Sequence, residues 1–338
     1  MDRRHFIATG TAATAAFAAD MVMGLPAAAS VAVTGPRRPG AGRLDVAAFR
    51  ALRSFVATPQ GRIACVQHGS GPAALFLHGF PLNGFQWRDA IAGLAAHRRC
   101  IVPDFMGLGY TETADGQGVA PRDQVDMLAA LLDALGVASA DVISSDSGTA
   151  VAQLLAVQHP GRVRSLLLTN GDTQNDCPPP ALLPVIELAK EGRFVDEWLA
   201  PWRGDTALAR SGKGIGAMCY ADPAHPTDEA IEYYFAPLVD SPMRKARTHD
   251  YAVALEANML AGINAELARS TVPARVVWGM ADDIFASASA PFELERAFGN
   301  SRGLRLLEGS KLFWPEERPE VVVEEALRLW GIARGLRA

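Results

Sequence analysis

Val142-Ile143-Ser144-Ser145-Asp146-Ser147-Gly148-Thr149-Ala150 reads as an apolar strand that runs into a tight turn and then a helix. A side chain displayed on so sharp a turn needs small residues two before and two after it, because larger ones collide with the neighbouring strand and helix. Ser144 and Gly148 meet that need around Asp146. The helix that starts here aims its first N–H groups at the same point, so the N–H of Ser147 can stabilise a developing negative charge. An Asp before a helix is also an ordinary N-cap. Ser147 is the rival for the displayed position, but the branched Cβ of Thr149 would then crowd the turn.

Working outward, short apolar strands alternate with helical stretches. A strand over 72–77 ends at His78-Gly79-Phe80-Pro81, and one over 100–103 ends at Asp104-Phe105-Met106-Gly107-Leu108-Gly109-Tyr110-Thr111. The first turn offers the backbone N–H of Phe80 to a bound ligand, while His78 reads as structural. Val125, Leu128, Leu131, Leu132 and Leu135 give a helix over 123–135 one apolar face. Strands follow at 141–145 and 163–169. Residues 172–249 then switch to a helical pattern rich in aromatics, with Trp198, Trp202, Tyr220, Tyr233 and Tyr234 expected to roof a ligand. A long helix over 247–268 leads to a strand at 274–279, and a last strand at 304–308 precedes a final helix. This alternation predicts an α/β fold whose mainly parallel sheet is covered by helices on both faces.

The three turns, in this order and each after a strand, resemble those of the α/β-hydrolase superfamily. Asp146 at the displayed position is similar to the branch that holds haloalkane dehalogenases, fluoroacetate dehalogenases and epoxide hydrolases. That resemblance implies Asp146 as nucleophile, Phe80 and Ser147 as backbone oxyanion donors, and Asp282, in Trp278-Gly279-Met280-Ala281-Asp282, as the acid. It also implies that 172–249 is a cap between two core segments, 43–171 and 250–338.

One departure from that pattern is chemical. The family's histidine base falls on Leu312, directly before Phe313-Trp314-Pro315-Glu316-Glu317, and no histidine follows His249. Leucine cannot accept a proton, so an ester on Asp146 is expected to form and then stall. His249 and Lys311 are the substitute bases within reach of the pattern; a lysine must be desolvated to serve. The halide-binding and arginine signatures of the dehalogenases are missing at Phe80 and Ser147. Trp87 and Phe80 fit an epoxide-hydrolase-like first loop. Trp87, Tyr233 and Tyr234 are expected to line the substrate pocket, and Tyr220 and Tyr251 are further candidates for protonating an oxygen. The reading is a hydrolase of a small apolar molecule. The alternatives are a ligand-binding pseudoenzyme, or a cofactor-free lyase or isomerase using Asp146 as base.

Composition sets outer bounds. The chain has 338 residues, 49% hydrophobic and 20% charged, with a net charge of −5. No basic stripe suggests a nucleic-acid partner, and no apolar run in the body is long enough to span a membrane. No metal or organic cofactor is implied. Residues 1–29, with Arg3-Arg4 ahead of an Ala-rich stretch, read as a twin-arginine export signal. The expectation is recognition by the export machinery, a linker over 30–42, and a periplasmic or secreted enzyme with no membrane contact in its mature form. The four cysteines are too few for a disulfide scaffold and read as buried free thiols, with Cys177 and Cys219, both in the insertion, the first pair to test for a disulfide.

Overall fold

In the computed structural model, which describes residues 44–332, the alternation of strands and helices becomes a single mixed sheet. The export-signal and linker readings lie outside the described residues. The strands are β1 (Arg53–Thr58), β2 (Gly61–His68), β3 (Ala73–Leu77), β4 (Arg99–Pro103), β5 (Glu112–Thr113), β6 (Ala140–Asp146), β7 (Val163–Gly171), β8 (Ala274–Gly279) and β9 (Ser301–Leu307). They lie in the order β1-β2-β4-β3-β6-β7-β8-β9, with β5 paired to β2. β1, β2 and β5 are antiparallel to their neighbours; from β4 to β9 the pairing is parallel.

Every residue of β3 and β6 is buried, as expected of central parallel strands covered on both faces. The chain leaves β3 to one side, for β4, and returns on its other side as β6. That reversal of strand order opens a crevice at the carboxyl ends of β3 and β6, where open α/β sheets bind ligands. Asp146 ends β6, and Gly79-Phe80 follow β3. The topology alone therefore brings the two turns together.

Between β7 and β8 the chain forms a helical insertion whose longest members are Leu183–Lys190, Asp228–Val239 and Pro242–Ala254. The expected long helix over 247–268 is instead two helices, Pro242–Ala254 and Asn264–Leu267. The hydroxyl of Ser241 accepts from the Arg244 N–H and Pro242 occupies the first turn, a strong start signal. Gly262, at φ +83°, lies in the turns that separate the pair. A boundary at 249 accordingly falls inside a helix.

A buried ion pair ties the insertion to the core. Arg88 Nη1 donates to Glu316 Oε1 at 2.6 Å, and the hydroxyls of Tyr220 and Tyr234 each donate to Glu316 Oε2 at 2.9 Å. The Arg88 and Glu316 side chains are 3% and 1% exposed. Four groups from the turn after β3, the insertion and the turn after β9 thus satisfy one another out of water. Removing one partner strands a buried charge, at a typical cost of about 3–5 kcal/mol. Glu316→Ala should lower the unfolding free energy by that amount, measured by urea unfolding. Arg88→Met combined with Glu316→Leu should recover the part due to the stranded charge and leave the cost of the two orphaned tyrosine hydroxyls.

Candidate active site

Asp146 is held in a conformation that side chains avoid. Its φ of 56° is the only positive value at a non-glycine among the described residues, and such strain persists only where the surroundings impose it. Here close packing does so. A Cβ on Gly148 would lie 2.5 Å from the His78 carbonyl oxygen, and one on Gly79 would lie 2.2 Å from the Asp146 Cβ. The backbone after β3 therefore lies against both Asp146 and the start of the helix Ser147–Gln158, more closely than larger residues permit.

Two backbone N–H groups, from Phe80 at 3.0 Å and from Ser147, donate to the same oxygen, Asp146 Oδ1. The carboxylate is 7% exposed. Burial pushes it up to about 6, against the lowering effect of the Ser147 and Phe80 N–H groups, while the charge of Asp282 raises it slightly. The Ser147 hydroxyl is engaged with the Tyr251 hydroxyl at 3.1 Å, and Tyr251 stacks on Phe80 with ring centroids 5.7 Å apart.

Asp146 lines a cavity beneath the helical insertion. Its wall is apolar, with Phe194, Trp198, Trp202, Phe285 and Leu312 prominent. Trp198 sits on a π-helical turn, Val195–Leu199, a local widening often found at functional sites. No histidine, lysine or arginine is among the described residues that line it.

Several expected residues lie elsewhere. Trp87 is fully buried against Phe76. Tyr234 and Tyr220 are committed to Glu316. Tyr233 packs on Phe85 and Tyr110 and takes a hydrogen bond from Arg53. None of these lines the cavity; their aromatic bodies fill gaps between insertion and core, and Trp198 and Trp202 provide the roof. His249 Nε2 accepts from the N–H of Val195, one of the first unpaired donors of its helix. Lys311 is spent on Asp283 at 2.6 Å and the Ala217 carbonyl at 2.8 Å. Neither reaches the cavity, so neither can replace the base. His78 is occupied at both nitrogens, by the Phe105 N–H and the Gly79 carbonyl. The four cysteines are free thiols, Cys177 and Cys219 included.

Leu312 stands on the cavity wall beside Ile284 and Phe285. The N–H groups of those two residues donate to Asp282 Oδ1, and Asn170 Nδ2 donates to Asp282 Oδ2 at 2.9 Å. Asp282 is thus anchored behind the wall, and burial pushes it up to about 6. One cavity residue escaped the sequence reading. Asp172, 5% exposed, lines the same cavity as Asp146. Burial first, and the nearby Asp146 charge second, hold its carboxyl well above the usual range. An acid just beyond a strand end carries no local pattern to mark it.

With that geometry in hand, the comparisons are consistent. Residues 72–309 match the family described as alpha/beta hydrolase fold; the chain belongs to it. The relatives include haloalkane dehalogenase 2 of Mycobacterium bovis, 33% identical over 33% of this chain and 39% of that protein. Another is the haloalkane dehalogenase of Mesorhizobium japonicum, 38% identical over 34% of this chain and 37% of that protein. The chain thus spans under two fifths of these curated relatives in sequence. In three dimensions it shares its fold with the epoxide hydrolase CorEH, at a TM-score of 0.68 and 22% identity, over 83% of this chain and 99% of the other.

Asp146 makes a signed prediction. Its folded value of about 6 lies above the ordinary 3.8, so it favours folding while protonated, below about pH 4. That contribution is lost as pH rises through about 6. Asp146→Asn should therefore match the wild type near pH 4 and exceed it above pH 7, by roughly 2–3 kcal/mol. Chemical denaturation at several pH values reads the difference directly.

Proposed function

We propose that the protein is a hydrolase that attacks a small, neutral, largely apolar substrate with Asp146 Oδ2, forming an ester that water then cleaves. The observation that carries this reading is the pair of N–H donors on Oδ1 of a carboxylate facing an apolar cavity. Once Oδ2 bonds to carbon, Oδ1 becomes the carbonyl oxygen. Attack of water on Cγ then gathers negative charge on Oδ1, where two donors already point. Pre-placed donors of this kind act without reorganisation, and removing one typically lowers the rate about a hundred- to a thousand-fold.

The cavity supports the substrate class. An anionic substrate would meet Asp146 with no lining cation to pair it, and a cationic one would neutralise the nucleophile. A neutral molecule with an electrophilic saturated carbon, an epoxide or a primary alkyl halide, suits both the wall and the carboxylate. The related dehalogenases and the shared fold of an epoxide hydrolase lend support. Arg3-Arg4 ahead of an Ala-rich stretch is the sequence feature that supports export and work outside the cytoplasm.

Incubation with 1-bromobutane or styrene oxide should add the mass of the alkyl group to the peptide containing Asp146, trapped by acid quench and read by mass spectrometry. Asp146→Asn should give no adduct and no product. Product release from Asp146→Asn at the wild-type rate would overturn the nucleophile assignment, and an inert wild-type protein that still binds these compounds would favour a ligand-binding role.

A further inference from the structure

Hydrolysis of an ester needs a group that takes a proton from water, and the described cavity wall offers one besides Asp146. β6 and β7 are neighbours, and Asp146 is in register with Gly171. Adjacent strands run about 5 Å apart, so Asp172 starts one residue beyond the nucleophile on the next strand end. The approach is as close as backbones allow: a Cβ on Gly171 would lie 2.4 Å from the Asp146 carbonyl oxygen. Gln153, on the helix that begins at Asp146, donates to the Asp172 carbonyl at 2.8 Å. Asp172 is thereby fixed to both the strand and the helix that carry the nucleophile, and its residue borders the same enclosed space.

Two carboxyls in one apolar cavity do not both ionise readily. Asp146 has the N–H donors of Phe80 and Ser147 and the helix start, so the charge rests there. The titratable groups facing Asp172 are Asp146, the Cys177 thiol, Asp176 and the Tyr251 hydroxyl. None is a cation that would hold Asp172 ionised; burial and the Asp146 charge raise its carboxyl, against the Cys177 thiol that donates to it.

We propose that Asp172 is the proton carrier of this site and does the work of the missing histidine, with an epoxide as the substrate class it suits. The inference rests on the covalent reading above. In the first half-reaction, Asp146 Oδ2 bonds to an epoxide carbon, the C–O bond breaks, and the Asp172 proton passes to the departing oxygen, giving a hydroxyalkyl ester and an Asp172 carboxylate. In the second, that carboxylate takes a proton from water as its oxygen bonds to Asp146 Cγ. The ester C–O bond at Cγ then breaks, the proton of the new Cγ hydroxyl passes to the alkoxide, and a diol, the Asp146 carboxylate and a protonated Asp172 result. A halide leaves without a proton, so Asp172 is idle in its departure and, still protonated, must first lose its proton to solvent before it can act as base in the ester's hydrolysis.

The test uses that difference. Asp172→Asn keeps the shape and cannot carry a proton. Against styrene oxide its turnover should fall about a hundred-fold or more, the usual worth of general acid–base help. Against 1-bromobutane its Asp146 should still be alkylated at close to the wild-type rate, with the ester now accumulating. Undiminished turnover of styrene oxide would overturn the assignment while leaving Asp146 as nucleophile. Loss of alkylation as well would make Asp172 a structural residue and overturn it too. A wild-type protein that forms no adduct and no product with either probe would overturn the covalent reading, and this inference with it.

Discussion

Everything at the site follows from placing a carboxylate in an apolar, enclosed space and keeping it reactive. An isolated buried carboxylate sheds its charge by taking up a proton. Asp146 is kept within reach of ionisation by two N–H groups from separate elements, both ending on Oδ1. That convergence requires the turn after β3 to touch the turn after β6, and it is why glycine stands at 79 and 148. It also requires the unusual backbone of Asp146 itself. The sheet order, which puts β3 next to β6, is the large-scale expression of the same contact.

The helical insertion supplies the other half of the environment. It covers the carboxylate and sets the apolar wall through Phe194, Trp198 and Trp202. Its attachment is polar. Tyr220 and Tyr234 reach out of the insertion to Glu316, which Arg88 neutralises from the core. Such a network is favourable only when every member is satisfied, so it fixes the position of the roof as well as holding it down.

The fold was legible because its signals are local. Each site turn follows an apolar strand, and the small residues flanking Asp146 state their own purpose. Leu312 was legible for a similar reason, since the Phe313–Glu317 turn marks its place on the wall. The lining was not. Tyr233 and Tyr234 look like Trp198 and Trp202 as members of an aromatic helical region; only packing separates those bonded to the core from those facing the cavity. His249 and Lys311 looked available because a sequence does not show the Val195 N–H or the Asp283 carboxylate that occupy them. Asp172 was read as the edge of an insertion. Its meaning arises from the register of β7 against β6, a long-range relation that no spacing along the chain reveals. The helix Pro242–Ala254 starts at the Ser241-Pro242 cap signal, ahead of the expected start at 247.

The central claim is that bond formation occurs at Asp146 itself, and the fate of oxygen decides it. With enzyme in excess over styrene oxide in heavy-oxygen water, a single turnover should yield unlabelled diol. The heavy oxygen should appear in the Asp146 carboxylate, because water attacks Cγ and the product keeps the oxygen Asp146 gave it. Label in the diol from the first turnover, with Asp146 unlabelled, would mean that water attacks the substrate directly and would contradict the account.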